Sequence, residues 1–210
     1  MAASGGMEAL HRAALRLQAR AKTPAKSAKR LPPLVFMTDP ARVPDPEAVA
    51  SRLPMGSAVV FRAFGAADAA VRGRRLAAIA RRRGLVMLAG ADPVMARSIG
   101  AAGVHLPERS SHRAHVARLQ PGWIVTAAAH DARAIRRAFA AGADAVVVSP
   151  VFESRSPSAG RPLGPTRFAA LVRAANGPVY ALGGIDAVTA RRLLSSGAVG
   201  IAMVEALLER

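Results

Sequence analysis

Eight short apolar runs recur along this chain, and segments of helical period separate them. That alternation constrains the fold more than any single motif. The runs are Leu34–Thr38, Ala58–Arg62, Leu85–Ala89, Val104–Leu106, Ile124–Ala128, Ala145–Ser149, Val179–Leu182 and Val199–Met203. Between them, Asp45–Leu53, Ala67–Arg83, Pro93–Ile99, Ser110–Leu119, Ala132–Ala141 and Thr166–Ala175 read as helices, and one more helical segment lies between Gly184 and Val199. Strands linked by helices pair in parallel, because each crossover carries the chain back to the same end of the sheet. Eight such units in about 180 residues describe an α/β fold, a single (β/α)8 TIM barrel at its compact limit. An open doubly wound sheet is the alternative; the short chain between units favours closure. Gly84, Gly100, Gly142 and Gly197 stand where helices should end.

Residues 32–210 carry this pattern and residues 1–31 do not. Met7–Ala21 reads as a basic amphipathic helix with Leu10, Leu15 and Leu17 on or near one face. The linker KTPAKSAKR follows and holds all three lysines. This extension is expected either to fray or to cap the bottom of the barrel; a membrane-surface or partner-binding arm is the other reading. The start falls at Met1 or Met7.

The net charge of +17 invites a nucleic-acid partner. The positive charge, however, is nearly all Arg spread along every helix, alanine is abundant, and no aromatic–basic interleaving suited to base stacking occurs. Composition bias explains that pattern, and no nucleic-acid partner is expected. A basic surface still attracts phosphorylated metabolites. The chain has no cysteine, which rules out disulfides, a thiolate nucleophile and zinc–thiolate sites. No apolar run reaches membrane-spanning length and none near the start resembles a secretory signal, so a cytoplasmic protein without membrane contact is expected. Homo-oligomerisation is compatible with the sequence, which sets no oligomeric state.

In a (β/α)8 barrel the reacting groups sit at the C-terminal ends of the strands. That rule selects Thr38, Asp39, Arg62, Gly90, Glu108, His130, the loop from Ser149 to Gly164, Gly183, Gly184, Val204 and Glu205. Gly183-Gly184, between a strand and a helical segment, suits close approach to an anion at a helix start. Ser154, Arg155 and Ser156 are the natural phosphate donors of the long loop. Arg62 ends an otherwise apolar run, where a charge needs a partner; it reads as a phosphate or pyrophosphate clamp, or as one half of an ion pair with Asp39 or Glu108. His130 follows the fifth strand and could move a proton near neutral pH, or could be a helix-start histidine held by the backbone. His105 lies within a strand and reads as packed; His112 and His115 read as helix-surface residues. Glu205 is either a site residue or a favourable acid at a helix start. No histidine–carboxylate spacing suits a metal.

Three stretches carry a family resemblance: GAAGVHLPERS (100–110), HDARAIRRAFAAGADAVVVSPVF (130–152) and ALGGIDAVTARRLLSSGAVGIAMV (181–204). Their order and spacing resemble the thiamine-phosphate synthase and TenI-like superfamily, from about Leu34 to the C-terminus. The resemblance implies a barrel that joins a pyrimidine pyrophosphate to a thiazole phosphate with Mg²⁺, releasing pyrophosphate. Of the family's strand-two Gln-x-Arg-x-Lys only Arg62 survives, with Val60 and Phe64 in the flanking places. Gly90-Ala91 stands where the family has Asn-Asp, Ser110 where it has the metal-binding Asp, and Ala128 where it has Ser. In the long loop, Thr-x-Thr-Lys becomes Ser154, Arg155, Ser156 and Pro157. The resemblance therefore implies Mg²⁺ while its usual ligands are missing; Asp92 and Glu108 are the nearest substitutes in sequence. Without hard oxygen ligands, the leaving pyrophosphate would be neutralised by arginine alone. The thiazole-phosphate side is better kept, in Ser154, Ser156, Gly183, Gly184 and the adjoining Val204. The related thiazole tautomerase uses a histidine after strand five, which His130 matches.

The expected function is thus a thiamine biosynthesis or salvage protein acting on small phosphorylated thiazole and pyrimidine substrates, with His130 and Arg62 as its catalytic residues. A metal-independent tautomerase and a non-catalytic phosphate-ligand binder are the alternatives.

Overall fold

The structure, a computed structural model, describes residues 2–21, 30–117, 120–156 and 160–205. Eight strands form one closed, all-parallel barrel in sequence order: β1 (Leu34–Met37), β2 (Ala58–Phe61), β3 (Val86–Gly90), β4 (Gly103–Leu106), β5 (Ile124–Ala129), β6 (Ala145–Val148), β7 (Val179–Ala181) and β8 (Gly200–Met203). β1 closes on β8 with Val35 opposite Ala202.

Successive side chains of a strand point to opposite faces, and the two faces are filled differently. Val35, Met37, Ala58, Val60, Leu88, Ala145, Val147, Tyr180 and Ala202 fill the barrel interior. Leu34, Phe36, Val59, Phe61, Val146 and Val148 face the surrounding helices. Every strand residue of β1, β2, β4, β6 and β8 is buried. That is why the strands read as unbroken apolar runs rather than alternating ones. The interior is built largely from small residues around one large one. Tyr180 is 1% exposed, and its hydroxyl donates to the Pro32 carbonyl at 2.6 Å.

The helices are α1 (Ala2–Arg20), α2 (Pro46–Arg52), α3 (Ala69–Arg83), α4 (Pro93–Ser98), α5 (Ala114–Ala117), α6 (Ala132–Ala140) and α7 (Gly164–Ala174). Asp45, Asp92 and Asp131 cap α2, α4 and α6, each carboxylate accepting a backbone N–H of the first turn. Two expected helices differ. Over its described residues the segment expected at 110–119 is a 3₁₀ turn (Glu108–Arg113) followed by α5, and the segment after Gly184 is only a 3₁₀ turn, Thr189–Leu193. In the second, the Asp186 carboxylate takes the N–H groups of Val188 and Thr189, which fixes a turn before any helix can start.

α1 packs against β1, β8 and the Thr189–Leu193 turn, so the extension caps the barrel. Leu10, Ala14 and Leu17 are fully buried and belong to the same core as the helices, whereas Leu15 is 44% exposed and off that face. Gln18 ties the helix down by donating from Nε2 to the Leu31 carbonyl at 2.7 Å. The lysine-bearing linker lies outside the described residues apart from Arg30. Among the described residues, no helix is long and apolar enough to cross a membrane.

Candidate active site at the barrel mouth

The strand ends open into one cavity of about 1550 Å³. It gathers the catalytic, binding and metal candidates of the sequence: Arg62, Asp92, Glu108, His130, Ser154, Arg155, Ser156, Gly183, Gly184, Val204 and Glu205 all line it.

Arg62 emerges from β2 and is gripped by the end of β1. Its backbone N–H donates to Thr38 Oγ1 at 2.8 Å, and its Nε donates to the Thr38 carbonyl at 2.6 Å. Nη2 lies 3.5 Å from Asp39 Oδ2, outside hydrogen-bond alignment, and is buried with no hydrogen-bond partner. Asp39 is occupied elsewhere: Arg42 bonds the same oxygen through Nε and Nη2, both at 2.9 Å. A chain of charges continues across the mouth. Arg42 lies 3.9 Å from Glu205, and Glu205 pairs with Arg155 of the long loop at 3.3 Å. Of the two partners foreseen for Arg62, the structure selects Asp39. Thr38 stands among the strand-end residues, but its grip on Arg62 carries no sequence signal because it depends on the β1–β2 register; Arg42, three residues past Asp39, is not among them. Burial pushes the Arg62 guanidinium down to about 10; Asp39 opposes that shift and Arg42 adds to it. Arg62 remains cationic at neutral pH.

His105 behaves as its strand position implies. It is 6% exposed, its Nδ1 hydrogen-bonds with Thr126 Oγ1 at 2.9 Å, and burial, helped by the Arg62 charge, pushes it down to about 3. It is a neutral wall of the cavity.

His130 sits after β5 with its ring in the open mouth. Nδ1 lies 2.7 Å from the Ser149 carbonyl. A carbonyl only accepts, so Nδ1 carries the proton and the neutral ring leaves Nε2 as a lone-pair base. Glu108 supports the residue: Oε2 accepts the His130 backbone N–H at 3.1 Å and lies 4.0 Å from Nε2. The backbone thus orients the ring, as one sequence reading expects, and Nε2 faces Glu108 across 4.0 Å.

Gly183-Gly184 differs from expectation in one respect. With φ of 101° and 62°, both residues adopt backbone that favours glycine. The space a side chain would need is filled by the β6 loop. A Cβ at Gly184 would collide with the Glu153 carbonyl oxygen, and one at Gly183 would lie 2.9 Å from Pro150 Cα. Val151 and Phe152 donate to the carbonyls of Leu182 and Gly183 at 2.9 and 3.0 Å. The glycine pair thus sews the long loop to β7. Among the described residues, the N–H groups of Gly183, Gly184 and Ile185 meet no acceptor, and all three residues line the cavity. The short 3₁₀ turn beyond it adds little dipole. The described part of the long loop places Ser154, Arg155 and Ser156 at the cavity, with the Ser156 N–H donating to Ser154 Oγ at 3.3 Å.

Mg²⁺ demands near-octahedral oxygen ligation. Among the described residues, no group of three or more His, Asp or Glu could hold a metal. The two sequence candidates are committed elsewhere. Asp92 Oδ1 caps α4 by accepting from Val94 and Met95, and Glu108 Oε1 pairs with Arg137 at 3.1 Å. Asp39 is held by arginines. These side chains do not fit a divalent cation.

A closed parallel barrel with its polar groups gathered at the C-terminal strand ends belongs to the (β/α)8 class, whose active sites lie at that end. The family described as thiamine monophosphate synthase matches residues 34–207, and the chain belongs to that family. It is 31% identical over 191 residues to the thiamine-phosphate synthase of Alcanivorax borkumensis, covering 85% of this chain and 86% of that one. It is 36% identical over 115 residues to a protein of Aquifex aeolicus called putative thiamine-phosphate synthase 2, a match covering 55% of this chain and 62% of the relative. For the first relatives it matches, the chain spans less than two thirds of their length. Among solved structures, thiamine phosphate pyrophosphorylase from Pyrococcus furiosus superposes with a TM-score of 0.70 at 26% identity, over 81% of this chain and 84% of that one.

Proposed function

We infer that this protein is a thiamine-biosynthesis transferase that joins a thiazole phosphate to a pyrimidine pyrophosphate at the barrel mouth. The observation that carries the reading is the pair of anion-binding corners on one cavity. The N–H groups of Gly183–Ile185, which meet no acceptor among the described residues, lie after β7, and the cationic Arg62, which lines the same cavity and whose Nη2 has Asp39 at 3.5 Å but no hydrogen bond, lies after β2 on another part of the ring. Two phosphorylated substrates need two such corners. The Gly183–Ile185 turn, with Ser154 and Ser156 facing it from the long loop and Val204 beside it, takes the thiazole phosphate. Arg62 takes the pyrophosphate and stabilises negative charge as that group leaves. No step is assigned to a metal.

His130 supports a second reading. Its free Nε2 can accept a proton from a bound thiazole and return it, which is tautomerisation without coupling. One experiment separates the readings: purified full-length protein is given both substrates, and thiamine phosphate, pyrophosphate and thiazole isomer are followed, with Mg²⁺ and with a chelator. Coupling predicts that thiamine phosphate and pyrophosphate form in equal amounts and that Arg62→Ala lowers the rate about a hundredfold or more. Tautomerisation predicts isomer conversion alone, lost in His130→Ala. Tight thiazole-phosphate binding with neither product would leave a non-catalytic binder and refute both.

A further inference from the structure

The corner between β2 and β3 is built in an unusual way. Among the described residues, only two non-glycine positions have positive φ: Phe64 at 49° and Ala91 at 64°. They occupy the two neighbouring loops that flank Arg62. Such backbone costs about 1–3 kcal/mol and persists where surrounding structure enforces it. Phe64 is also 67% exposed, so burial does not account for its ring. The ring instead lies beneath the Arg62 guanidinium, with Cζ 5.1 Å from its centroid. At the end of β3, a Cβ on Gly90 would fall 3.0 Å from Arg62 Cγ and 3.1 Å from the Phe61 carbonyl oxygen. A side chain there would crowd the arginine stem, which would have to shift slightly to make room. Arg62 is therefore fixed on three sides, by Thr38 at Nε, by Phe64 on its face and by Gly90 under its stem, while its buried Nη2 faces Asp39 at 3.5 Å without a hydrogen bond.

We propose that Phe64 and Gly90 are positioning residues that hold Arg62 as a preformed clamp for a phosphate-type anion, and that this corner binds the anion without a divalent cation. The inference rests on the reading that the mouth takes phosphorylated ligands. A guanidinium already locked in place loses little entropy when it binds. The aromatic face shields one side of the cation from water and is worth about 0.5–2 kcal/mol. The carboxylates that a bridging cation would need are spent: Asp39 on arginines, Asp92 on the α4 cap and Glu108 on Arg137. Positive charge at this corner comes from the protein.

The test is calorimetric titration of the full chain with inorganic pyrophosphate, in chelator and in Mg²⁺. Wild type is expected to bind equally well in both. Arg62→Ala should abolish binding. Phe64→Ala, Phe64→Leu and Gly90→Ala should each weaken it about three- to tenfold, while Phe64→Tyr restores it. Melting temperature, followed in parallel, should stay nearly unchanged in the Phe64 variants, which separates positioning from stability. Wild-type binding that requires Mg²⁺, or absent binding, overturns the proposal; so does a Phe64→Leu variant that binds as wild type does. Thiazole-phosphate titration of the same samples keeps the two ideas apart. If thiazole phosphate binds and pyrophosphate does not, this corner is misassigned while the β7 site stands. If pyrophosphate shows the expected variant pattern but no thiamine phosphate forms, the clamp stands and the coupling reading falls.

Discussion

Arg62 and His105 are basic side chains lining one mouth, and burial acts on both in the same direction with different results. The arginine begins so high that it stays charged; the histidine is driven fully neutral. The sign of the consequence for His105 follows from proton counting. Between pH 6.5 and about 3, the unfolded chain binds a proton at this position that the folded chain refuses. Stability therefore falls as pH falls through that window, by up to about 1.4 kcal/mol per pH unit from this group. Urea unfolding at a series of pH values should show a shallower acid slope for His105→Gln than for wild type; equal slopes would show that His105 is not the group responsible. At this same scale the sequence is legible in part. Arg62 and His130 stand out because a charge or an imidazole at a strand end needs a reason. The roles of Thr38, Arg42 and Phe64 do not: Thr38 grips Arg62 only once β1 and β2 lie side by side, Arg42 acts through Asp39 nearby and Glu205 after β8, and Phe64 acts through its ring on Arg62. Phe64 is visible in sequence only as a departure from the family pattern, and the structure gives that departure a contact.

The elements show where periodicity is a sufficient guide and where it is not. A strand buried on both faces leaves an unbroken apolar run of four or five residues, too short for a helix and closed at each end by polar or turn residues. All eight runs coincide with strands to within a residue or two. The segment after β4 divides between a 3₁₀ turn and α5 over its described residues, while after β7 the Asp186 carboxylate takes the N–H groups of Val188 and Thr189 and holds the segment to a 3₁₀ turn. α1 tests the same reasoning on the extension. Leu10 and Leu17 are buried and Leu15 is not, although all three stand close in sequence. Leu17→Ala should cost about 2–5 kcal/mol in chemical denaturation, and Leu15→Ala less than about 0.5 kcal/mol. Equal costs would mean that α1 does not dock as described. The helix of residues 2–20 is readable from sequence, but its choice between fraying and capping is not, nor is its face, since Leu15 and Leu17 straddle the stripe boundary.

For the molecule as a whole, the barrel and its mouth are recoverable from sequence because closure turns eight separate strand ends into one ring. Any residue just past a strand becomes a neighbour of all the others. Of the contents of that ring, the pairing of Arg62 with Asp39 is among the sequence readings, but the continuation through Arg42 and Glu205 to Arg155 is not, because it depends on side-chain reach across loops. The opposite end of the barrel yields a different benefit. Tyr180 is the chain's sole tyrosine, it is bonded to Pro32 where the chain enters the barrel, and burial pushes its phenol up. The protein thereby contains its own optical gauge of barrel integrity. At about pH 11, where a free tyrosine is mostly ionised, the phenolate absorption band should be missing from the intact protein and should appear in step with loss of circular dichroism as the barrel opens. A phenolate signal that precedes unfolding would show that water reaches the barrel floor while the strands are still paired.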